Sequence, residues 1–200
     1  MPIRHAAAVD LDALAATLAS AFAEDPMWTW LFDTAANPDG GEGLRSFFGI
    51  ALKAGLTRGH LYTNADRSAA AVWAPPDVGS LGRPDGEALG ALLAQTCGDA
   101  GVRRLGALAA GTRGAHPAES HFYLFILGVH GDRRSEGLGA EVIAPVLDLC
   151  DREGWPAYLE SSNPRNLTFY RRHGFEVTGE IELDGGLTMS SMWRESHREI

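Results

Sequence analysis

The chain has 200 residues, of which 45% are hydrophobic and 22% charged, and its formal net charge is −9. That composition is typical of one globular domain that can bury a core. An acidic chain without a basic stripe argues against a general nucleic-acid-binding surface. No stretch approaches the ~20 apolar residues that span a membrane, and Asp10 comes too early for a secretory signal peptide. We therefore expect a single domain over residues 1–200, cytoplasmic and of bacterial type, without nucleic-acid or membrane partners.

The two cysteines, Cys97 and Cys150, are too few for a disulfide framework and lack the spacing of metal ligands. We therefore expect reduced thiols and no bound metal. Cys150 falls on the apolar face of a predicted helix, so we expect it to pack in the core.

The N-terminal region predicts a short strand and two helices. Residues 3–7 form the strand, and Asp10 is the expected N-cap of a first helix that ends before Pro26. The apolar face of this helix repeats at helical spacing through Leu11, Leu14, Leu18 and Phe22. After it we predict an aromatic-rich turn at 27–32, a glycine-rich loop at 37–43 and a helix at 43–59.

The rest of the chain alternates strands and helices. A helical region at 78–117 is divided at Gly98 and Gly101. The other predicted elements are strands at 60–64 and 69–76, a strand at about 119–129, a helix at 137–153, a strand at 155–162, a short helix at 165–174 and an antiparallel pair at 175–183 and 187–195. This order predicts an α/β (α+β) sandwich, with helices flanking a mixed, largely antiparallel sheet. The strand–helix–strand unit 122–162 is the part expected to pair in parallel.

The stretch DRRSEGLGAEV, residues 132–142, joins a predicted strand to a predicted helix. The first amides of a helix lack intrahelical partners and the helix dipole adds positive charge there, which favours a phosphate. Gly137 and Gly139 permit close approach of the backbone, and Arg133 and Arg134 add charge. The stretch is neither a Walker loop nor a three-glycine dinucleotide motif. By itself it fits an ordinary helix N-terminus with solvated arginines equally well.

A second stretch, YLESSNPRNLTFYRRHGF at residues 158–175, follows that helix. The pattern R-x-x-G-x-G at 134–139 after an apolar strand, then Asn163 after the next strand, then Y-x-x-x-G-F at 170–175, resembles the GNAT superfamily of acyl-CoA-dependent N-acetyltransferases. The likeness is strong over about 122–193, and the N-terminal half matches in element order only. Within the superfamily the sequence is most similar to the bacterial group that includes puromycin N-acetyltransferase.

The resemblance implies that acetyl-CoA lies in a V-shaped opening between two central parallel strands. Backbone groups of the first strand would pair with the pantetheine arm, and the amides of 134–140 would bind the pyrophosphate. The residues implied to contact acetyl-CoA are Leu127, Gly128, Val129, Arg133, Arg134, Ser135, Glu136, Gly137, Leu138, Gly139, Ala140, Asn163, Asn166 and Tyr170. Ser135 departs from the family pattern, where glycine is commoner, and its Cβ restricts φ.

The implied reaction is attack of an amine on a thioester, without a covalent enzyme intermediate. An amine with a pKa near ~10.4 is protonated at pH 7, so a general base lowers the barrier. Glu160 is our choice of base, and the alternative is a strand carboxylate paired with an arginine. His121, Asp25 and Glu24 are weaker candidates for the base.

The departing thiolate requires a proton or hydrogen bond. By the resemblance Tyr170 supplies it, and the alternative is a packed aromatic ring beside Phe169 and Phe175. The amide of Val129 is the expected donor to the oxyanion.

The acceptor pocket is expected to combine aromatic walls with acidic residues, which suits a cationic amine with an apolar body. The residues assigned to it are Phe22, Trp28, Trp30, Phe32, Trp73, His121 and Tyr123. The alternative for each tryptophan is a place in the core.

Three functions stay open at this point. They are a small-molecule N-acetyltransferase, a peptide or protein N-acetyltransferase, and a non-catalytic acyl-CoA-binding sensor. A closed aromatic pocket favours the first over the second, and an open groove the reverse. A homodimer through the closing hairpin is a further expectation.

Overall fold

A computed structural model describes residues 2–34 and 40–197. The strands are β1 (Ile3–His5), β2 (Leu61–Asn64), β3 (Ala69–Ala74), β4 (Phe122–Val129), β5 (Ala157–Ser161), β6 (Glu176–Leu183) and β7 (Leu187–Arg194). The helices are α1 (Leu11–Phe22), α2 (Pro26–Phe32), α3 (Gly40–Arg58), α4 (Arg83–Ala115), α5 (Leu138–Glu153) and α6 (Leu167–Arg172). The strands of these described residues lie in one sheet of order β1-β2-β3-β4-β5-β7-β6, in which β4 and β5 pair in parallel and the other neighbours are antiparallel. The predicted α/β class and the parallel unit are confirmed.

The predicted turn at 27–32 is wrong, because this stretch is the helix α2. Asp25 caps it by accepting the Met27 N–H at 3.1 Å, and Pro26 occupies the first turn. A capping aspartate followed by proline is a helix-start signal that outweighs the aromatic content.

The predicted glycine-rich loop is also wrong in part. Residues 40–43 form the first turn of α3, and residues 37–39 lie outside the described part of the chain. A Cβ on Gly43 would lie 2.9 Å from Phe32 Cε1, so close packing of α3 on α2 accounts for this glycine.

Asp10 stands at the N-cap position of α1, as predicted, but its side chain bonds elsewhere. Its carboxylate accepts the Ala7 N–H at 2.9 Å and the Arg4 guanidinium at 2.7 and 2.9 Å, and no cap bond to α1 is formed by this residue. The hydrogen bond from Arg4 holds the pKa of Asp10 well below its usual range. Asp10 therefore anchors β1 to the start of α1.

The predicted division of the helical region at Gly98 is confirmed. Gly98 has φ 61° and ψ −159°, a conformation that interrupts α4 and that residues with a Cβ avoid. The C-terminal half of α4 then rests on β6, where a Cβ on Gly111 would lie 2.8 Å from Ile181 Cγ2. This half of the helix covers one end of the sheet.

Two apolar clusters fill the two faces of the sheet. One packs α1 and α3 against the sheet, and the other packs α5. Cys150 is fully buried in the second cluster, as predicted, and its pKa is raised to about 12 by burial. Within residues 2–34 and 40–197, no helix has the length and apolar character needed to cross a bilayer.

A β-bulge in β4 changes which backbone groups point at β5. The register with β3 pairs Val72 with Ile126 but Trp73 with Leu124, so Phe125 is the extra residue. Beyond the bulge the His130 N–H donates to Ser68 O at 2.8 Å, toward the β3 side. By alternation the peptide groups of residues 127 and 129 point away from β3. No local sequence signal predicted this change.

Gly128 lies where β4 approaches α1 most closely. A Cβ there would lie 2.5 Å from Leu18 Cδ2 and 3.1 Å from Phe22 Cε2. We expect Gly128→Ala to lower the free energy of unfolding by about 2 kcal/mol, because the buried Leu18 side chain or α1 itself must shift to relieve the overlap. Urea denaturation checks this, with Gly179→Ala as the control, since a Cβ on Gly179 in β6 meets nothing within 4 Å. Equal stability of the two variants would contradict the packing described.

Candidate active site

The two central parallel strands separate soon after they start. Within the described chain their ladder consists of the pairs Phe122↔Ala157 and Tyr123↔Tyr158. Because of the bulge, the peptide groups of Leu127 and Val129 face the resulting gap. Gly128 does not, since its own peptide groups face Ala70 of β3, and the expectation that it pairs with pantetheine is corrected. The gap has the V shape expected for a pantetheine arm.

A cavity of about 590 Å³ opens at the wide end of this gap. The corner between α1 and α2, the strands β4 and β5, and the C-terminal half of α4 enclose it. The chemically important side chains that line it are Phe22, Asp25, Trp28, Tyr123, Glu160 and Tyr170. Glu160 and Tyr170 therefore reach the same space, although β5 and α6 carry them separately.

Glu160 is the most perturbed carboxyl group in the cavity. Burial raises its pKa to about 7, and hydrogen bonds from Tyr123 and Tyr158 oppose that rise. Its Oε1 has no hydrogen-bond partner among the described residues. No described arginine pairs with it in the structure, so the alternative of a structural ion pair has no support. A carboxyl group of this pKa changes its charge near neutral pH, as a general base requires.

Tyr170 has features of both alternatives that the sequence left open, a packed ring and a proton donor. Its ring packs between Phe169 and Phe175, at centroid distances of 5.2 and 6.1 Å. Its side chain also lines the cavity. Burial, together with the charge of Asp25, raises the pKa of the Tyr170 hydroxyl above its usual value. The hydroxyl therefore stays protonated at neutral pH and can donate.

Asp25 is a second buried carboxyl group beside the cavity. It accepts the Ser162 hydroxyl at 2.7 Å and the Met27 N–H at 3.1 Å, so it joins the α1–α2 corner to the end of β5. Burial raises its pKa, and these hydrogen bonds oppose the rise. Sequence reasoning missed Ser162, because only the fold brings it to Asp25.

The histidines near the cavity are held by packing. His121 is buried, and its Nδ1 lies 2.6 Å from Glu119 O, which indicates that Nδ1 carries the hydrogen. Its ring lies 4.8 Å from that of His116 and 5.4 Å from that of Tyr158. Burial and the nearby His121 lower the pKa of His116. His116 also lines the cavity and was missed from sequence, since it follows α4 without any recognisable motif.

Two of the five predicted aromatic walls line the cavity, namely Phe22 and Trp28. Phe32 and Trp73 are fully buried in the two apolar clusters, and Trp30 lies beside Gly185 in the β6–β7 turn. The prediction for these three residues is wrong, because helix and strand alternation turns them away from the cavity. His121 and Tyr123 do line it.

The loop before α5 has the backbone of an anion-binding turn. Ser135 has φ 66° and Gly137 has φ 83°, and Gly137 is the N-cap of α5. Left-handed residues that alternate with residues of negative φ in this way aim neighbouring amides at one point. Gly139 and Ala140 continue into the first turn of α5, while the Leu138 side chain is buried.

The two arginines of this loop are already engaged. The Arg134 Nη2 donates to Ala21 O at 2.8 Å, and Arg133 pairs with Glu136 and Asp66. The prediction that Arg133 adds free charge for a phosphate is therefore wrong in this structure, because two carboxylates neutralise it. Arg134 donates to a neutral carbonyl and keeps its positive charge. The amides, the helix dipole and the charge of Arg134 are the groups left to attract an anion.

The two asparagines implied for the pantetheine arm differ in position. Asn163 uses its side chain to accept the Arg165 N–H at 3.1 Å, whereas Asn166 lines the cavity. Asn166 is thus the better placed of the two. Among the described residues no three His, Cys, Asp or Glu side chains are grouped so as to hold a metal ion.

Comparison with known proteins adds the following. Residues 105–196 match the family model described as an acetyltransferase (GNAT) domain. An uncharacterized N-acetyltransferase of Schizosaccharomyces pombe is 37% identical over 62 residues, which are 31% of this chain. The chain spans 25% of the length of that curated relative.

Two solved structures share the fold over nearly the whole chain. One is described as histone acetyltransferase HPA2 and related acetyltransferase from Corynebacterium glutamicum, with a TM-score of 0.71, 23% identity, and coverage of 97% of this chain and 95% of that chain. The other is arylalkylamine N-acetyltransferase 2 from Aedes aegypti, with a TM-score of 0.67, 14% identity, and coverage of 97% and 98%. At these identities the two structures show the fold, a mixed sheet flanked by helices.

Proposed function

We propose that this protein is a GNAT acetyltransferase, which its fold and its family-model match support. It transfers an acetyl group from acetyl-CoA to a primary amine of a small molecule. The observation that carries this proposal is Glu160, a carboxyl group with a pKa of about 7 that lines the same cavity as Tyr170. A non-catalytic acyl-CoA sensor has no need of a buried base and a buried acid in one cavity.

The proposed base removes a proton from the attacking ammonium. An amine of pKa ~10.4 costs roughly 4.6 kcal/mol to deprotonate at pH 7. Raising the pKa of Glu160 from 4.5 to about 7 makes the carboxylate a stronger proton acceptor. The free energy of proton transfer from the ammonium to Glu160 becomes more favourable by about 3 kcal/mol. About half of the Glu160 side chains are then ionised at neutral pH.

The proposed chemistry is direct transfer in a ternary complex. The Glu160 carboxylate takes one proton from the ammonium, directly or through water, and passes it to solvent; the neutral amine nitrogen then forms a bond to the acetyl carbon. The oxyanion faces the Val129 amide in the gap between the strands. The carbon–sulfur bond then breaks, and Tyr170 donates its proton to the thiolate. The second proton of the nitrogen passes through Glu160 and water and restores the Tyr170 hydroxyl. Acetylated amine and coenzyme A are the products.

The cavity supports a cationic acceptor with an apolar body. Asp25 and Glu160 supply negative charge, Trp28 and Phe47 supply aromatic faces, and the C-terminal half of α4 closes one side. One solved protein of this fold, from Aedes aegypti, is an arylalkylamine N-acetyltransferase. These features favour a small molecule over a peptide, which would need an open groove.

A panel of amines tests the proposal. The purified protein is mixed with acetyl-CoA and each amine, and release of free thiol is followed. The panel contains phenethylamine, puromycin, agmatine and a lysine peptide. We expect turnover of at least one small amine above that of the peptide; thiol release with the peptide alone, or with none of them, would overturn the assignment.

We further propose the setting in which the protein works. Two free cysteines, one of them buried, are consistent with the reducing cytoplasm. The continuous sheet from β1 to β6 supports one acetyltransferase domain over residues 1–200. Membership of the puromycin N-acetyltransferase-like group and a homodimer through the β6–β7 hairpin stay predictions, for which the puromycin arm and a sedimentation experiment are the tests.

A further inference from the structure

In the loop before α5, one arginine is bound by two carboxylates from different parts of the chain. The Arg133 Nε lies 2.8 and 2.9 Å from the two carboxylate oxygens of Glu136, and its Nη2 lies 2.8 Å from Oε2. Its Nη1 donates to Asp66 Oδ2 at 2.7 Å. Asp66 in turn accepts the Ser68 N–H and hydroxyl, at 3.2 and 2.7 Å. The guanidinium therefore ties this loop to the β2–β3 turn.

The same ion pair encloses the one residue of the loop that has a Cβ and a left-handed backbone. Ser135 lies between Arg133 and Glu136 and has φ 66°, in a region that residues other than glycine rarely adopt. The bidentate contact between the Arg133 guanidinium and the Glu136 carboxylate fixes the separation of these two residues, between which Ser135 lies. The pair thus opposes relaxation of Ser135 toward an extended backbone.

We infer that Arg133 is a positioning residue for coenzyme binding and not itself a phosphate ligand. Arg133 holds Ser135 in the left-handed conformation, so that the first amides of α5 face the pyrophosphate. The charges agree with this role, since one guanidinium faces two carboxylates and leaves no net positive charge for an anion. The inference rests on the proposed function, because it takes acetyl-CoA as the anion bound.

The test is a double-mutant cycle of Arg133→Gln and Ser135→Gly on the full chain, with coenzyme A binding measured by isothermal titration calorimetry. We expect Arg133→Gln to weaken binding about tenfold, a factor that one strained backbone residue can account for. Glycine adopts the left-handed region without strain. In the Ser135→Gly background the same substitution should therefore change the affinity less than about twofold.

The matched control is Arg83→Gln, which removes an exposed ion pair with Glu87 on α4 and should leave binding unchanged. If Arg133→Gln does not fold, the same cycle is run with Arg133→Lys, which keeps the charge and lacks the two-pronged contact. Equal losses with and without Ser135→Gly would show direct phosphate contact and overturn the inference, as would unchanged binding by the Arg133 variant. Absence of coenzyme binding by the wild-type protein would instead refute the proposed function.

Discussion

Replacing Glu160 with glutamine should lower kcat/KM for the acceptor about 100-fold at pH 8, the size of effect that a general base supplies. The pKa of Glu160 is about 7, so the wild-type carboxylate is available above pH 7 and is lost as the pH falls below it. We therefore expect wild-type kcat/KM to rise through pH 7, and the Glu160→Gln profile to lack this rise. The two profiles should converge at low pH. Steady-state kinetics from pH 5 to 9 provide the check.

Asp25→Asn is the matched comparison for that experiment. Asparagine caps a helix as well as aspartate does, so α2 should keep its start, while the second buried carboxyl group of the cavity is removed. We expect the inflection near pH 7 to persist in this variant. If Asp25→Asn abolishes the inflection and Glu160→Gln retains it, Asp25 is the base and the assignment of Glu160 is wrong.

The same Glu160→Gln substitution should make the protein more stable at high pH. The pKa of Glu160 is about 7 in the folded protein and about 4.3 in an unfolded chain. The folded state therefore binds the extra proton, and this contribution to stability is full below about pH 4.3 and lost as the pH rises through 7. At pH 8 the buried carboxylate destabilises the fold by about 4 kcal/mol, which glutamine relieves. Thermal melts should show a higher Tm for Glu160→Gln at pH 8 and near-equal Tm values at pH 4.5.

Replacing Tyr170 with phenylalanine should lower kcat about 100-fold and leave the KM for acetyl-CoA within about twofold. The substitution keeps the ring between Phe169 and Phe175 and removes only the proton that the thiolate receives. Because burial raises the pKa of this hydroxyl above its usual value, the wild-type enzyme should also show no loss of activity up to about pH 10.

Tyr62→Phe is the control for the Tyr170 substitution. Tyr62 is also a buried tyrosine whose pKa is raised by burial, but it lies on β2, packs against His5, and does not line the cavity. We expect its kcat to match that of the wild type. An unchanged kcat for Tyr170→Phe would show that Tyr170 is only a packed ring, which is the alternative that the sequence left open.

Local signals in the sequence were enough to predict most of the elements. Residue patterns predicted α5 and the hairpin β6–β7, because a helix repeat and a strand repeat depend only on neighbouring residues. The left-handed C-cap at Gly154 (φ 82°), which ends α5, is equally local. The miss at α2 also has a local cause. Its start signal, Asp25 followed by Pro26, was available, and the aromatic content of the segment was given more weight.

The resemblance to a superfamily identified Glu160 and Tyr170 as candidates, and the fold then brought both to one cavity. Their environment could not be predicted, because a pKa depends on burial and on partners far away in sequence. Glu160 meets Tyr123 from another strand, and Asp25 meets Ser162 across 137 positions of the chain. Such long-range contacts produce no repeating residue pattern in the sequence of either segment.

By itself the sequence of this protein determined the order of strands and of every helix except α2, the acidic charge, and the glycine-bearing turn before α5. Those properties follow from residue types and from spacings within one element. Only the tertiary structure decided that Arg133 faces Glu136 and Asp66. It also decided that Trp73 lies in the core and that Trp28 lines the cavity. The bulge at Phe125, which turns Leu127 and Val129 toward β5, is likewise a tertiary feature. Each of these depends on which distant segment packs alongside, and the free energy of that packing is a property of the whole fold.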